Sequence, residues 1–299
     1  MKYTSILLLT LTLYADLSAE VILHHSGASN PTSEGWTLNK QSENVSASAV
    51  INDLGTGIDG WSIDDFSTET DVLTYTGNIT PEQQGRIDAN GWKLSILVRV
   101  IDLPTLPDGS AASDNSIAVE LRTGNASRDF DLVLGYEVND GNPAIIANGI
   151  AHWVDNYALI EVEYTPQVGE WGEPILTVSI NGTRRYNYTG VDPNGAGSPY
   201  VAWGAFGGAT TGHAHWAEVK FEVLPELVPP QISNFEILPN DRLYFRATNI
   251  RRGVYYRFEK STNLIDWDFY YGIRPNESDD IQLYRDMEGD RTFYRVGIK

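Results

Sequence analysis

From position 92 to 100 an apolar side chain stands at every second residue: Trp92, Leu94, Ile96, Val98 and Val100 alternate with Lys93, Ser95, Leu97 and Arg99. Successive side chains of a strand point to opposite faces, so a period of two marks a half-buried strand. The pattern recurs. Ile117, Val119 and Leu121 alternate with Ala118, Glu120 and Arg122; Phe130, Leu132, Leu134 and Tyr136 with Asp131, Val133 and Gly135; Ala158, Ile160, Val162 and Tyr164 with Leu159, Glu161 and Glu163. Between such runs lie residues that favour tight reversals, Asn139-Asp140-Gly141-Asn142 and the hairpin pair Asn181-Gly182. One helix is predicted, opened by Thr80 as cap and Pro81 as first residue and running to Ala89, before Asn90-Gly91. Many strands with a single short helix predict an all-β sandwich or jelly roll.

The 299 residues exceed one average domain and suggest a large and a small unit. Lys2, the apolar stretch 6–13 and Leu17-Ser18-Ala19 have the form of an export signal. The expectation is a signal peptide over 1–19, cleaved after Ala19, and a secreted or cell-surface protein. No later stretch has the roughly 18–20 apolar residues of a spanning helix, so membrane insertion is not expected. Leu224-Pro225-Glu226-Leu227-Val228-Pro229-Pro230 predicts a stiff linker over 225–230. It separates a sandwich over 20–224 from a small module over 231–299, whose strands are expected at 235–237, 243–247, 255–260, 268–271, 281–284 and 292–296.

Charge is unevenly shared. The segment 20–224 carries 27 acidic and 9 basic side chains, and 225–299 carries 12 and 11. So acidic a surface repels nucleic-acid backbones, anionic lipid and heavily sulfated glycans. Neutral glycans, and acidic ones bridged by a divalent cation, remain as partners. With no cysteine, disulfides and thiolate metal sites are excluded.

At Gly35-Trp36-Thr37-Leu38, Trp61-Ser62-Ile63-Asp64-Asp65, the run 92–100 and the closing 212–222 (Gly-His-Ala-His-Trp-Ala-Glu-Val-Lys-Phe-Glu), the chain resembles concanavalin A-like lectin/glucanase domains of the laminin G-like jelly-roll type. The resemblance implies a curved sheet that binds sugar, in a secreted protein of an environmental bacterium. The stretch 256–267, with Trp267, and the closing Phe293-Tyr294-Arg295-Val296 resemble small fibronectin-like modules. There the resemblance implies core roles for the aromatics and a spacing or display role for the module.

No acidic run of the laminarinase kind, Glu-x-Asp-x-Glu, is present. Glu161 and Glu163 come nearest, on one face of a strand, where a carboxylate pair can do glycosidase chemistry or simply be solvated. A lyase needs a cation for a uronate and a Tyr, His or Lys to move the proton; Arg99, Arg122, His152, His213 and His215 supply these types. Asp53, Asp59, Asp64, Asp65, Glu69 and Asp71 crowd an interval without basic residues, which makes calcium a possible cofactor, with Asp59, Asp64 and Asp65 as ligands. Flat aromatics cover sugar faces; Trp153 and Trp203 are the candidates for exposure, while Trp36, Trp92 and Trp267 sit in core-like patterns. The expected binding site is Arg99, Glu120, Asp131, Trp153, Trp203, His213 and His215, drawn together for a polysaccharide or glycan. The function expected is lectin-like binding without catalysis, against two alternatives: a polysaccharide hydrolase or lyase, and an adhesive surface protein.

Overall fold

The computed structural model describes residues 19–298 apart from 67–71, 103–116, 123–129, 137–142, 148–149, 154–155, 167–174, 190–198, 208–211, 227, 239–241, 252–253, 274, 276–280 and 287–292. The signal peptide, the turn at 139–142, Glu69 and Asp71 therefore lie outside the described residues.

In chain order the strands are β1 (Glu20–Ser26), β2 (Thr37–Lys40), β3 (Val45–Asp53), β4 (Ile58–Asp65), β5 (Leu73–Asn78), β6 (Trp92–Asp102), β7 (Ile117–Arg122), β8 (Phe130–Tyr136), β9 (Pro143–Ala147), β10 (Ile150–Trp153) and β11 (Ala158–Thr165). They continue with β12 (Ile175–Ile180), β13 (Thr183–Thr189), β14 (Tyr200–Ala205), β15 (Gly212–Val223), β16 (Gln231–Leu238), β17 (Arg242–Thr248), β18 (Tyr256–Ser261), β19 (Asp268–Ile273), β20 (Ile281–Asp286) and β21 (Phe293–Ile298). The helix α1 (Pro81–Asn90) lies between β5 and β6. Thr80 caps it through a reciprocal box with Gln83: the Thr80 hydroxyl accepts from the Gln83 backbone N–H, and the Gln83 side chain accepts from the Thr80 N–H.

The protein is all-β, built from antiparallel sheets in sandwich-like arrangements. An eight-stranded sheet runs β13-β12-β11-β6-β15-β4-β3, with β1 also on β15, and a seven-stranded sheet runs β10-β9-β8-β7-β14-β5-β2. The long strand β15 is central: β6 flanks it on one side, and β4 and β1 share the other end to end. The alternation read from the sequence decides the faces. Trp92, Leu94, Ile96 and Val98 of β6, with Ala158, Ile160 and Val162 of β11, are fully buried between the sheets, while Lys93, Leu97, Arg99, Leu159, Glu161 and Glu163 face outward. Asn181 and Gly182 both take positive φ, 50° and 73°, in the two-residue hairpin between β12 and β13 that their identities predicted.

Trp203 is the centre of the core. It is 0% exposed, stacks on His25 with ring centroids 4.8 Å apart, and touches Trp36, Tyr75 and Trp216 at 5.9, 5.0 and 5.3 Å. The expectation that Trp203 meets sugar is therefore corrected. β14 lies inside the seven-stranded sheet, and the register that turns Tyr200 toward the outer face turns Trp203 inward.

Beyond 224–230, β16-β17-β20 and β19-β18-β21 form two three-stranded sheets over a second cluster of Ala247, Ile250, Val254, Tyr256 and Phe258. Ile175 of β12 inserts into this cluster. Trp267, expected in the core, is half-buried instead, with the Arg295 guanidinium 4.3 Å over its ring.

Candidate functional site

The outer face of the eight-stranded sheet carries a convergent polar cluster. Asp53 ends β3 beyond a register shift between Val50 and Asp53, in a hairpin where Asn52, Leu54, Gly55 and Gly57 all have positive φ. Such a conformation is costly for Leu54 (φ 52°) and persists only where the surroundings enforce it. The Asn52 side chain accepts from the Gly57 backbone N–H at 2.6 Å, and the Asp59 carboxylate accepts from the Asn52 N–H at 2.8 Å, which closes the loop. The hairpin thereby directs Asp53 over the sheet and exposes Ile51 (68%) and Leu54 (60%) beside it.

Asp53 is 7% exposed and fully engaged. Nη1 of Arg99, on β6, donates to both its oxygens at 2.8 Å, and Nδ1 of His215, on β15, lies 2.8 Å from Oδ2. Arg99 and His215 face each other directly across the β6–β15 pair. Burial opposes ionisation of Asp53, but the hydrogen bonds from His215 and Arg99 outweigh it and hold the carboxyl down at about 2. An ionised carboxylate only accepts, so Nδ1 of His215 carries the hydrogen and its Nε2 is left for other chemistry. The Tyr157 hydroxyl sits over Gly60, 3.0 Å from where a Cβ would stand, so a larger residue at Gly60 would crowd it. Burial, then the negative charge of Asp53, raise the Tyr157 hydroxyl above its ordinary value, so it stays protonated, and its oxygen is enclosed in the fold.

Next to this group, His213 meets His215 edge to face at 4.9 Å, and its Nε2 lies 2.9 Å from Oγ of Ser62. The two histidines thus share one face, as their spacing allows, and they sit on the central strand β15.

The structure joins Arg99, His213 and His215 and separates them from Glu120 and Asp131, which is the main correction to the expected site. Glu120 and Asp131 are opposite one another, on β7 and β8 of the other sheet, so the whole core lies between them and Arg99. Strand parity tells a polar face from an apolar one, but not which of two sheets owns it. Glu120 is engaged locally, by an Arg122 ion pair and by the Tyr200 hydroxyl, which donates to it at 2.5 Å. The side chains of Asp131, His152 and Trp153 fall outside the described residues; the Trp153 backbone pairs with Ala144.

The expected calcium ligands do not converge either. Asp64 and Asp65 are adjacent on β4 and point to opposite faces, Asp65 being buried, and Asp59 lies at the far end of the strand, tied to Asn52. Among the described residues no three His, Asp or Glu side chains are gathered as a metal site would need.

Sequence reasoning left Asp53 within a run of acidic residues and did not single out Tyr157 or Ser62. A Gly-rich hairpin around a lone aspartate, Asn52-Asp53-Leu54-Gly55-Thr56-Gly57, was the available signal.

No protein-family model matches the sequence, and no curated protein does. Several solved structures are similar. The carbohydrate esterase of Shiga toxin-encoding bacteriophage phi24B is 13% identical, with a TM-score of 0.47, over 69% of this chain and all of that one. The endo-β-1,4-glucuronan lyase of the fungus Trichoderma reesei is 11% identical, with a TM-score of 0.42, over 67% and 94%. An alginate lyase is 9% identical, with a TM-score of 0.39, over 71% and 99%. At these identities and scores the likeness says nothing about chemistry.

Proposed function

We propose that the large sandwich is a glycan-binding domain, carried by an exported chain, which takes a neutral polysaccharide on the outer face of its eight-stranded sheet at Asp53, Arg99 and His215. The observation that carries this reading is the convergence of Asp53, Arg99 and His215 from one hairpin and two neighbouring strands of a single sheet face. Fixed donors and acceptors of this kind orient sugar hydroxyls, and the exposed Ile51 and Leu54 offer apolar contact for a ring face. The charge of the face favours a neutral partner: among its described side chains Asp53, Asp64, Glu161, Glu163, Glu218 and Glu222 outnumber Lys93, Arg99, Lys220 and Arg251, so a polyuronate meets net repulsion. Electrophoresis of the protein through gels cast with neutral plant and microbial polysaccharides tests the reading. Retardation by at least one of them, lost in Arg99→Ala and His215→Ala proteins that still melt cooperatively, is the expected result. Equal mobility of wild type and variants in every gel removes it.

A second reading has its own observation. An imidazole oriented by an ionised carboxylate is an acid–base arrangement. Reducing-end release or new unsaturated-uronate absorbance on a polysaccharide panel, abolished by His215→Ala, would establish a catalytic site; silence in both assays leaves binding alone.

A further inference from the structure

A second polar cluster lies on the same face, six residues along β6 from Arg99. Lys93 of β6, Glu161 and Glu163 of β11, and Thr177 and Ser179 of β12 line a shallow open depression. The register explains it: Lys93 stands opposite Glu163, Glu163 opposite Thr177, and Glu161 opposite Ser179. Lys93 forms an ion pair with Glu161. Glu163 is met from the C-terminal part of the chain by Arg251, 3.7 Å away. Arg251 also donates to the carbonyls of Asn90 and Pro225, at 3.4 and 3.3 Å, and its side chain is only 13% exposed. Ile175, two residues before Thr177 on the same face of β12, is buried in the C-terminal cluster. The C-terminal strands are thus fixed at the end of this face, and the depression opens at their foot.

We infer that this depression is a second sugar subsite, and that the C-terminal module acts as the end wall of one extended glycan-binding face. The inference rests on the reading of the Asp53 cluster as the first subsite. With each carboxylate already paired to a cation, the lining presents hydroxyls and neutralised ion pairs, which suits the hydroxyls of an uncharged hexose or pentose and gives no net attraction for an anion. Six residues of strand separate Lys93 from Arg99, about 20 Å at the usual rise, the reach of a short oligosaccharide. Between the clusters Leu97 and Leu159 stand opposite one another, half-buried, and supply an apolar strip for the ring faces of the intervening sugars. A chain lying along β6 therefore meets polar, apolar and polar zones in turn, and stops at the module held by Arg251.

Chain length is the variable that tests this. Size-fractionated oligosaccharides of neutral β-glucan, β-mannan and β-xylan, from disaccharide to octasaccharide, are titrated calorimetrically into the full-length mature protein. In the wild type, affinity for one of these series rises with length until both clusters are spanned, then levels off. Glu161→Gln and Thr177→Val remove only the rise: long chains bind roughly three- to tenfold more weakly, the loss of one or two hydrogen bonds, while the shortest ligands bind as before. Arg99→Ala weakens every length. Wild-type affinity for the whole ladder in Glu161→Gln and Thr177→Val, with Arg99→Ala still defective, overturns the second subsite and leaves the first standing. Unaltered binding by Arg99→Ala, or no binding of any series by the wild type, overturns the first subsite and this inference with it. Thermal melts of each variant separate lost contacts from lost folding.

Discussion

Two histidine–carboxylate pairs in this molecule have the same bond and opposite surroundings. In His25–Glu34 and in His215–Asp53 a ring Nδ1 meets a carboxylate oxygen, at 2.6 and 2.8 Å. His25 is wholly buried and stacked on Trp203, and burial is the largest influence on it, lowering its pKa against the pull of Glu34. His215 lies on the outer face, and its carboxylate is shared with Arg99, so there the carboxyl is the perturbed group. The first pair is a polar fixture of the core; the second, joined by Arg99, is the proposed site. Local geometry is the same in both. What differs is which side of the sheet the pair occupies and what third group joins it.

The comparison breaks most visibly at Trp203. Trp203→Ala removes the ring on which His25 rests and leaves a large cavity, with an expected loss of about 3–5 kcal/mol in urea-denaturation stability. Loss of glycan retention at unchanged stability in this variant would instead make the His25 side of the core the binding site.

Asp53→Ala should cost about 2–3 kcal/mol, because Arg99 and His215 lose the carboxylate that pairs them, and it should abolish glycan retention. The Asp53 carboxyl is depressed in the fold, so its contribution to stability is present above the unfolded value near 3.8 and disappears as pH falls toward 2. Chemical denaturation across that window should show a drop in the wild type that is smaller in Asp53→Ala.

The His25 pair titrates in a different range. Its folded pKa lies below the ordinary 6.5, so the unfolded chain takes up the proton first, and stability falls as pH drops below about 6.5 with a slope of up to ~1.4 kcal/mol per pH unit. His25→Asn should be less stable at neutral pH and should lack that slope. If the variant keeps the slope, another group is responsible.

The smallest effect belongs to the seven-stranded sheet. Arg122 and Glu120 are two residues apart on one strand and partly exposed, so Arg122→Ala should change stability by about 0.2–1 kcal/mol and leave retention untouched. A retention defect there would move the glycan to the other sheet.

The sequence by itself determined the class of fold and most of the strands. Period-two alternation is a local signal, set by which face of each strand meets water. β7 and β11 follow it residue by residue in their burial and β6 departs from it only at Ser95, and Asn181-Gly182 and Thr80-Pro81 mark the turn and helix start that the backbone adopts. The same signal placed Arg99 and Glu120 on polar faces. Which sheet received each strand was decided only in three dimensions, because parity is identical for outer residues of both layers. That is why Arg99 and Glu120, alike in pattern, end on opposite sides of the core. Tertiary structure also decided that Trp203 is buried, since flanking glycine and tyrosine say nothing of a strand's depth in a sheet. Asp53 was illegible for a further reason: its partners are 46 and 162 residues away. Only the pairing of β15 with both β6 and β4, and a hairpin held in positive φ, bring that carboxylate to them.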